Sequence, residues 1–253
     1  MKVASWNVNS LRVRLDHVLE WLDAEQPDVL GLQEIKMPTD IFPCDAFKEI
    51  GYHWAVDGQK TYNGVALLSK IESSDVHKAI PDFADEQKRA IAATYDGIRV
   101  INLYVPNGQS VGSDKYTYKL SWLAALEAWL KSELELHEKI VVMGDFNIAP
   151  DDRDVHDPEE WQGKILCSDA ERAALQSLLD LGMQDSFRLF DQPEKSFSWW
   201  DYRAAGFRRN RGLRIDLLLI SAAVAGSCMR SRIDKEPRAL ERPSDHAPVW
   251  IEF

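Results

Sequence analysis

The chain has 253 residues, of which 45% are hydrophobic and 28% charged, and this composition is typical of a globular protein rather than a disordered one. The three cysteines, Cys44, Cys167 and Cys228, are far apart and form no C-x-x-C pair, which argues against a disulfide framework and a zinc ribbon. A formal net charge of −11 counts against a general attraction to nucleic acid.

Apolar runs and turn residues alternate along the whole chain. In chain order they predict strands over residues 2–7, 29–33, 64–69, 90–95, 99–105, 139–145, 213–221 and 246–252. A first helix is expected to begin at Ser10 as its N-cap and to end near Pro27. Leucines at spacings of three and four predict two further helices, over residues 115–137 and 169–181.

Several predicted strands are apolar on both faces, as buried strands are. Strands and helices alternate without a linker or repeat, which favours one α/β domain over residues 1–253. Strands outnumber helices in the later part of the chain. We therefore expect two mixed β-sheets packed face to face, with the helices on the outside.

Acidic and amide residues recur at the ends of the predicted strands. Glu34 follows Val29-Leu30-Gly31-Leu32-Gln33, and Asp145 and Asn147 follow Val141-Val142-Met143-Gly144. Asn7 ends the first strand, and Asp245-His246 begins the last. Strand ends that meet at one rim can bring such distant residues into one pocket.

Oxygen ligands of this kind suit a hard cation, Mg²⁺ or Mn²⁺, and offer little to zinc. In a phosphodiester hydrolase, an ion on Glu34 would offset negative charge and Asp145 would orient or deprotonate a water. His246 is a candidate base or cationic donor, with Asp216 holding one tautomer.

Other interpretations of the same residues stay open at this point. Glu34 and Asp145 are also typical strand-end caps, and Asp216 lies in an apolar run where a structural ion pair is equally consistent with burial. Tyr104 and Asn107, in YVPNG, fit a β-turn after a strand.

A basic and aromatic segment follows residue 198. It contains Arg203, Arg208, Arg209, Arg211 and Arg214 beside Trp199, Trp200 and Tyr202. Guanidinium groups next to aromatic rings suit contacts with phosphates and stacked bases. A solvated arginine loop is the alternative.

Eight segments together resemble the exonuclease III family of DNA repair nucleases, within the endonuclease/exonuclease/phosphatase superfamily. In chain order they are SWNVNSLR (5–12), LQEIK (32–36), YNGVALLSK (62–70), YVPNG (104–108), GDFNIAP (144–150), FSWWDYR (197–203), NRGLRIDLLL (210–219) and SDHAP (244–248). Each is short, but their shared order over almost the whole chain is specific. The resemblance implies a four-layer, DNase I-like α/β sandwich.

The resemblance also implies residue roles. Glu34 would hold the metal, with Asn7, Asp145, Asn147 and Asp245 around it. Asp145 or His246 would be the general base, and the resemblance leaves that choice open. The remaining implied catalytic residues are Asp216, paired with the histidine, Tyr104, which contacts the phosphate, Asn147, which orients the water and the phosphate, and Asn107, which supports them.

On the same resemblance, Trp199, Leu213 and Ile215 would line a pocket for a base-less sugar, although core packing would also explain them. Arg203, Arg208, Arg209, Asn210 and Arg211 would contact DNA. Residues 161–167 lie where family members differ and are expected to border the DNA channel.

The implied activity is Mg²⁺-dependent hydrolysis of duplex DNA at abasic sites and 3′ ends, in base excision repair, with Mn²⁺ as a substitute. We expect a cytoplasmic monomer, without a membrane segment or an obligate protein partner. Other branches of the superfamily, such as inositol-phosphate phosphatases, sphingomyelinases and secreted nucleases, are not expected to share FSWWDYR with NRGLRID. A non-catalytic DNA-binding protein is the remaining alternative, and it would not need every catalytic position filled.

Overall fold

A computed structural model describes all residues, 1–253. Its strands are β1 (Lys2–Asn7), β2 (Val29–Gln33), β3 (His53–Asp57), β4 (Val65–Ser69), β5 (Ser74–Lys78), β6 (Ala90–Tyr95), β7 (Ile98–Tyr104), β8 (Ile140–Asp145), β9 (Gln184–Asp185), β10 (Trp199–Trp200), β11 (Gly212–Leu213), β12 (Asp216–Ile220), β13 (Arg230–Ile233) and β14 (Val249–Glu252). Its helices are α1 (Leu11–Glu25), α2 (Cys44–Glu49), α3 (Asp114–Leu136), α4 (Pro158–Trp161), α5 (Asp169–Asp180) and α6 (Ala222–Ala225). None of the helices combines the length and the apolar composition that a membrane crossing requires.

The strands form two six-stranded sheets and one small ribbon. The first sheet has the order β13-β14-β1-β2-β4-β3 and the second β5-β6-β7-β8-β12-β9, while β10 and β11 pair by themselves. Only β1 with β2 and β7 with β8 run parallel, and the other pairs are antiparallel. The predicted pair of mixed sheets is confirmed.

Alternation along the strands builds four layers. On β1, Val3 packs into a core between the two sheets, whereas Ala4 and Trp6 face a second core under α1 and α2. On β8, Val141 and Met143 face the first sheet, and Val142 packs beneath α3 and α5. Because side chains alternate along a strand, each sheet is apolar on both faces and is covered on both.

The two sheets approach each other closely at Gly31 of β2. A Cβ atom there would lie 2.6 Å from Met143 Cε and 2.7 Å from Asn102 Oδ1, so only glycine fits. Asn102 is fully buried and donates to the carbonyls of Leu32 (3.0 Å) and Ala66 (2.9 Å) in the opposite sheet. This polar bridge fixes the register of one sheet on the other.

The predicted boundaries of the central strands agree with the structure to within about one residue. Those of the predicted strands 213–221 and 246–252 are wrong. The segment predicted as one strand over 213–221 is two strands, β11 and β12, in different sheets. The last strand begins at Val249 rather than at residue 246, and His246 instead forms an isolated bridge with Trp199. Five strands lie outside the predicted ones: β3, β5, β9, β10 and β13.

Ser10 does not cap α1 with its side chain, contrary to the prediction. Its φ is 92° and its hydroxyl makes no capping hydrogen bond. The helix start is instead held by the loop after β2, because Ser10 N donates to Glu34 O (2.7 Å) and Leu11 N to Ile35 O (3.1 Å). Backbone carbonyls thus satisfy the orphan N–H groups that a cap would otherwise serve.

Candidate metal and catalytic site

The carboxyl-terminal ends of the central strands meet at one rim of the two sheets. In the second sheet Tyr104 is in register with Asp145, and Asp145 is in register with Asp216, so three site residues form one row. In the first sheet Asn7 ends β1 directly opposite Gln33, the residue before Glu34. Strand pairing alone therefore brings together residues that are far apart in sequence.

Gly144 allows Asp145 to stand at this rim. Its φ is 146°, and a Cβ atom there would lie 1.9 Å from Leu103 O in the neighbouring strand. A side chain at this position would force β8 away from β7. Two site residues after the strand ends, Glu34 (φ 49°) and Asn147 (φ 51°), also have left-handed backbones, which non-glycine residues adopt at a cost.

Asn7 links the two carboxylates across the sheets. Its Nδ2 donates to Glu34 Oε1 (3.0 Å) and to Asp145 Oδ2 (2.9 Å), while its own Oδ1 accepts from Asn9 N (3.0 Å). The amide nitrogen, not the oxygen, thus points at the carboxylates. Asn7 is placed to hold Glu34 and Asp145 in position rather than to offer an oxygen to an ion.

His246 lies between two carboxylates at the same rim. Its Nδ1 is 2.9 Å from Asp216 Oδ2, and its Nε2 is 3.7 Å from Asp145 Oδ2. Ser198 fixes Asp216 in turn, because its hydroxyl donates to Asp216 Oδ2 (2.7 Å). His246, Asp216 and Asp145 are all almost completely buried.

Burial and charge shift the pKa values of this group. Burial lowers the pKa of His246, but the carboxylates of Asp216 and Asp145 outweigh it and raise that pKa to about 10. Burial raises the pKa of Asp145 to about 7, against the opposing effect of His246. The geometry therefore favours an imidazolium beside an aspartate that exchanges its proton near neutral pH.

The carboxylates of Glu34 and Asp145 fit a divalent cation, and a ring nitrogen of His246 lies close to both. One ligand atom from each lies within 4.8 Å of those from the other two. Two carboxylates with an open side are the donors that Mg²⁺ uses, together with retained waters. Lys36 Nζ lies 2.9 Å from Glu34 Oε2 and so neutralises part of this negative charge.

Asn147 lies next to Asp145, and Asn107 lies next to Asn147. Asn147 N donates to Asp145 Oδ1 (2.9 Å), and Asn107 Nδ2 donates to Asn147 Oδ1 (3.1 Å). Tyr104 borders the same space, and burial, followed by the charges of Glu34 and Asp145, raises its pKa well above the ordinary value. Its phenol therefore stays protonated and can donate a hydrogen bond.

Asp245 lies at the edge of the site, outside the set formed by Glu34, Asp145 and His246. Its Oδ1 accepts from Asn9 Nδ2 (2.8 Å) and its Oδ2 from Trp199 Nε1 (3.0 Å). Burial raises its pKa, but the charge of His246 and these hydrogen bonds outweigh burial, and the pKa is lowered. Asp245 thus connects the residues that precede β14 to Trp199.

The three residues expected around a base-less sugar do cluster. Trp199 is in register with Leu213, and Leu213 and Ile215 share one apolar cluster with Leu166 and Cys167. Leu213 and Ile215 are 0% and 1% exposed, whereas Trp199 is only partly buried. Only Trp199 of the three presents surface to a ligand in this conformation.

The arginine segment divides into exposed and structural residues. Arg208 and Arg209 are exposed and have no salt bridge, while Arg203 pairs with Asp201 and Arg211 with Glu160 (2.9 Å). The other two members of the segment are structural: the side chain of Asn210 binds Trp200 Nε1 and Lys195 O, and Arg214 is buried between Asp154 and Asp185. The interpretation of Arg214 as part of a phosphate-binding patch is therefore wrong, because its guanidinium is already used inside the fold.

A groove next to Tyr104 was not predicted. Its volume is about 730 Å³, and its lining includes Arg89 and Lys115 but no acidic residue, in a chain whose net charge is −11. Arg89 lies over the Tyr104 ring, 4.7 Å from its centroid, and donates to Tyr104 O (3.2 Å). No local sequence pattern predicts this groove, because three loops from distant parts of the chain and the start of α3 form it.

Comparison with known proteins agrees with this geometry. The model of the endonuclease/exonuclease/phosphatase family matches residues 4–246. Exodeoxyribonuclease III of Haemophilus influenzae is 42% identical over 266 residues, covering all of both chains.

Solved structures extend the likeness. The 3′ phosphatase NExo from Neisseria, bound to a product DNA hairpin, superposes with a TM-score of 0.99 at 50% identity, covering 100% of this chain and 99% of that one. An AP endonuclease from Archaeoglobus fulgidus superposes with a TM-score of 0.96 at 38% identity, with the same coverage. The chain therefore belongs to the endonuclease/exonuclease/phosphatase family, and within it to the exonuclease III group of DNA repair nucleases.

Proposed function

We propose that this enzyme hydrolyses phosphate esters of duplex DNA with Mg²⁺ in base excision repair. Its three activities would be 5′ incision at abasic sites, removal of 3′-phosphates and other 3′ blocking groups, and 3′→5′ degradation. The observation that carries the proposal is the convergence of Glu34, Asp145 and His246, whose ligand atoms lie within 4.8 Å of one another. The names of the relatives, an exodeoxyribonuclease III, a 3′ phosphatase and an AP endonuclease, agree with it.

Glu34 and Asp145 would hold the cation, with Mn²⁺ as a substitute for Mg²⁺. A cation bound there supplies positive charge against the phosphate oxygens and lowers the pKa of a nearby water. Asn7 keeps the two carboxylates at a fixed separation, through bonds of 3.0 and 2.9 Å. This rigidity matters because Mg²⁺ demands nearly ideal octahedral geometry.

Asp145 is our candidate for the general base. The water would lose a proton to Asp145 while its oxygen bonds to phosphorus. The bond from phosphorus to the leaving sugar oxygen would break, and that oxygen would keep the bonding electrons and take a proton from solvent. Without a cation, burial raises the pKa of Asp145 to about 7. The positive charge of a bound cation would lower this pKa, so Asp145 would be ionised at neutral pH and its free oxygen would accept the proton of the water. The main-chain N–H of Asn147, 2.9 Å from Asp145 Oδ1, fixes its orientation.

His246 would act as a cation rather than as the base. Asp216 and Asp145 raise its pKa to about 10, so the imidazolium persists at neutral pH. Its Nε2–H and the phenol of Tyr104 would donate to non-bridging phosphate oxygens, where negative charge grows in the transition state.

The DNA would lie across the rim that carries these residues. Arg208 and Arg209, exposed and without salt bridges, would contact phosphates on the side of Trp199. The groove beside Tyr104, with Arg89 and Lys115, would take the strand on the other side. Local positive charge would thus outweigh the overall acidity of the chain.

Two labelled duplexes test this proposal. One carries a single abasic-site analogue and the other a 3′-phosphate, and each is incubated with Mg²⁺ or with a chelator. We expect incision 5′ to the abasic site and loss of the 3′-phosphate with Mg²⁺ only, and neither in the Asp145→Asn variant. Equal cleavage in the chelator, or an uncut pair of duplexes with Mg²⁺, would contradict it.

A further inference from the structure

A buried ion pair lies directly beneath the two asparagines of the site. Lys119 of α3 and Glu171 of α5 are both 0% exposed and contact each other. Taking two charges out of water is costly, and such a pair is a poor way to stabilise a fold. The contribution of this pair therefore depends on its remaining hydrogen bonds.

All three N–H donors of Lys119 are used, and two of them bind the catalytic loops. Its Nζ donates to Asn147 O (2.7 Å) and to Asn107 O (3.2 Å), and the third donor meets Glu171 Oε1. One ammonium group thus holds the backbone of both residues whose side chains lie beside Asp145. The stem of Lys119 passes under Gly108, where a Cβ atom would lie 3.1 Å from its Cδ.

Glu171 extends this connection to the loop before α5. Its Oε1 accepts from Leu166 N (3.1 Å), and its Oε2 accepts from Ser168 N (3.1 Å) and Ser168 Oγ (2.7 Å). Leu166 packs in the same apolar cluster as Leu213 and Ile215. The ion pair therefore links the loops that contain Asn107 and Asn147 to the apolar cluster against which Trp199 packs.

We propose that Lys119 and Glu171 are positioning residues for the hydrolytic reaction, which set the Asn107 and Asn147 amides relative to Asp145. The proposal rests on the function proposed above. Neither residue touches the reacting atoms. Because a shift of about 1 Å in such a group can cost on the order of 100-fold in rate, loss of this anchor affects turnover more than binding.

The same helix provides a matched control. Glu133 of α3 forms a second buried ion pair with Arg99 of β7, and their side chains are 8% and 1% exposed. The other partners of this pair are Asp75, Thr94 and Trp129 rather than site residues. If both pairs only stabilise the fold, removing either should have the same kinetic effect. If our inference is correct, only the first pair affects turnover.

The test compares two charge-neutral double variants, Lys119→Met with Glu171→Gln, and Arg99→Met with Glu133→Gln. Thermal melting, duplex binding in chelator and steady-state kinetics on the 3′-phosphate duplex are measured for each. We expect the first to lose about 10- to 100-fold in kcat with KM and duplex affinity within about 3-fold of the parent. The second should keep kcat within about 2-fold of the parent, whether or not its melting temperature changes.

Parental kcat in the first double variant, or an equal loss in the second, would overturn the proposal. If the first does not fold, Glu171→Gln alone keeps the shape of the site and should still lower kcat, and a folded Glu171→Gln protein with parental kcat would overturn it as well. A parent protein that leaves the duplex uncut would instead contradict the proposed function, and this inference with it.

Discussion

His246 Nδ1 lies 2.9 Å from Asp216 Oδ2, and the hydroxyl of Ser198 donates to that same oxygen at 2.7 Å. This arrangement fixes one orientation of the imidazole and turns Nε2 toward Asp145, 3.7 Å away. Asp216 is therefore placed to hold His246 as a cation, and its removal tests that role.

Asp216→Asn should lower kcat by about 10- to 100-fold with a smaller change in KM, because the imidazole loses both its orientation and its countercharge. Steady-state kinetics on the 3′-phosphate duplex measure the effect. Ser198→Ala leaves the carboxylate in place and should have a weaker effect. An Asp216→Asn variant with parental kcat would show that His246 does not depend on this contact.

The charge of His246 can be measured directly. In the metal-free protein its imidazole should stay protonated through neutral pH and titrate near pH 10, as followed by nitrogen NMR of the ring. Because the folded pKa lies above the ordinary value of about 6.5, the pair stabilises the fold fully below that pH and loses its contribution as the pH rises through about 10. Titration near pH 6.5 in the folded protein would refute the cationic role.

Asp145→Asn should reduce turnover by orders of magnitude and leave duplex binding intact, because an amide cannot accept the proton of the water. Fluorescence anisotropy of a labelled duplex in chelator reports the binding, and thermal melting reports the fold. Normal turnover would remove Asp145 from the mechanism.

Glu34→Ala should shift the Mg²⁺ titration of activity to higher concentration, because the cation loses a carboxylate ligand. Glu25→Ala is the control, since Glu25 pairs with Lys2 at the opposite end of β1 from Asn7. Identical Mg²⁺ titrations for Glu34→Ala and the parent would mean that the ion binds elsewhere.

Replacing Arg208, Arg209 and Arg211 together with alanine should weaken duplex binding for all sequences alike. The slope of log affinity against log salt concentration should fall by about 1 for each lost phosphate contact. Arg230→Ala is the control, because Arg230 pairs with Glu252, which faces Lys2 at the far end of the first sheet. An unchanged slope would place the three arginines away from the DNA.

The central sheets were predictable because their strands have an unambiguous apolar pattern. β2 and β8 are buried at every position, and their sequences, VLGLQ and IVVMGD, are typical of a buried strand. β5, in contrast, has the sequence SDVHK and is exposed throughout. It joins the sheet only by pairing with the edge of β6, and a local sequence pattern contains no information about such a partner.

The site residues likewise divide into those that a local sequence pattern predicts and those that depend on tertiary packing. Glu34, Asp145 and Asn7 could be predicted because each stands where an apolar strand ends, and strand pairing then brings them together. Lys119 could not, because in the sequence it is one more polar residue on a helix, and only the packing of α3 against α5 buries it beneath the asparagines. The arginines were predicted as one group, whereas burial of Arg214 separates it from the exposed Arg208 and Arg209.

In the proposed mechanism, Glu34 and Asp145 hold one divalent cation that faces His246 and that hydrolysis requires. Anomalous diffraction from a crystal soaked in Mn²⁺ tests this most directly. We predict one peak within coordination distance, about 2.0–2.3 Å, of carboxylate oxygens of Glu34 and Asp145, and its loss in the Glu34→Ala crystal. A peak bound only to other residues, or no peak under conditions where the enzyme is active, would contradict the account.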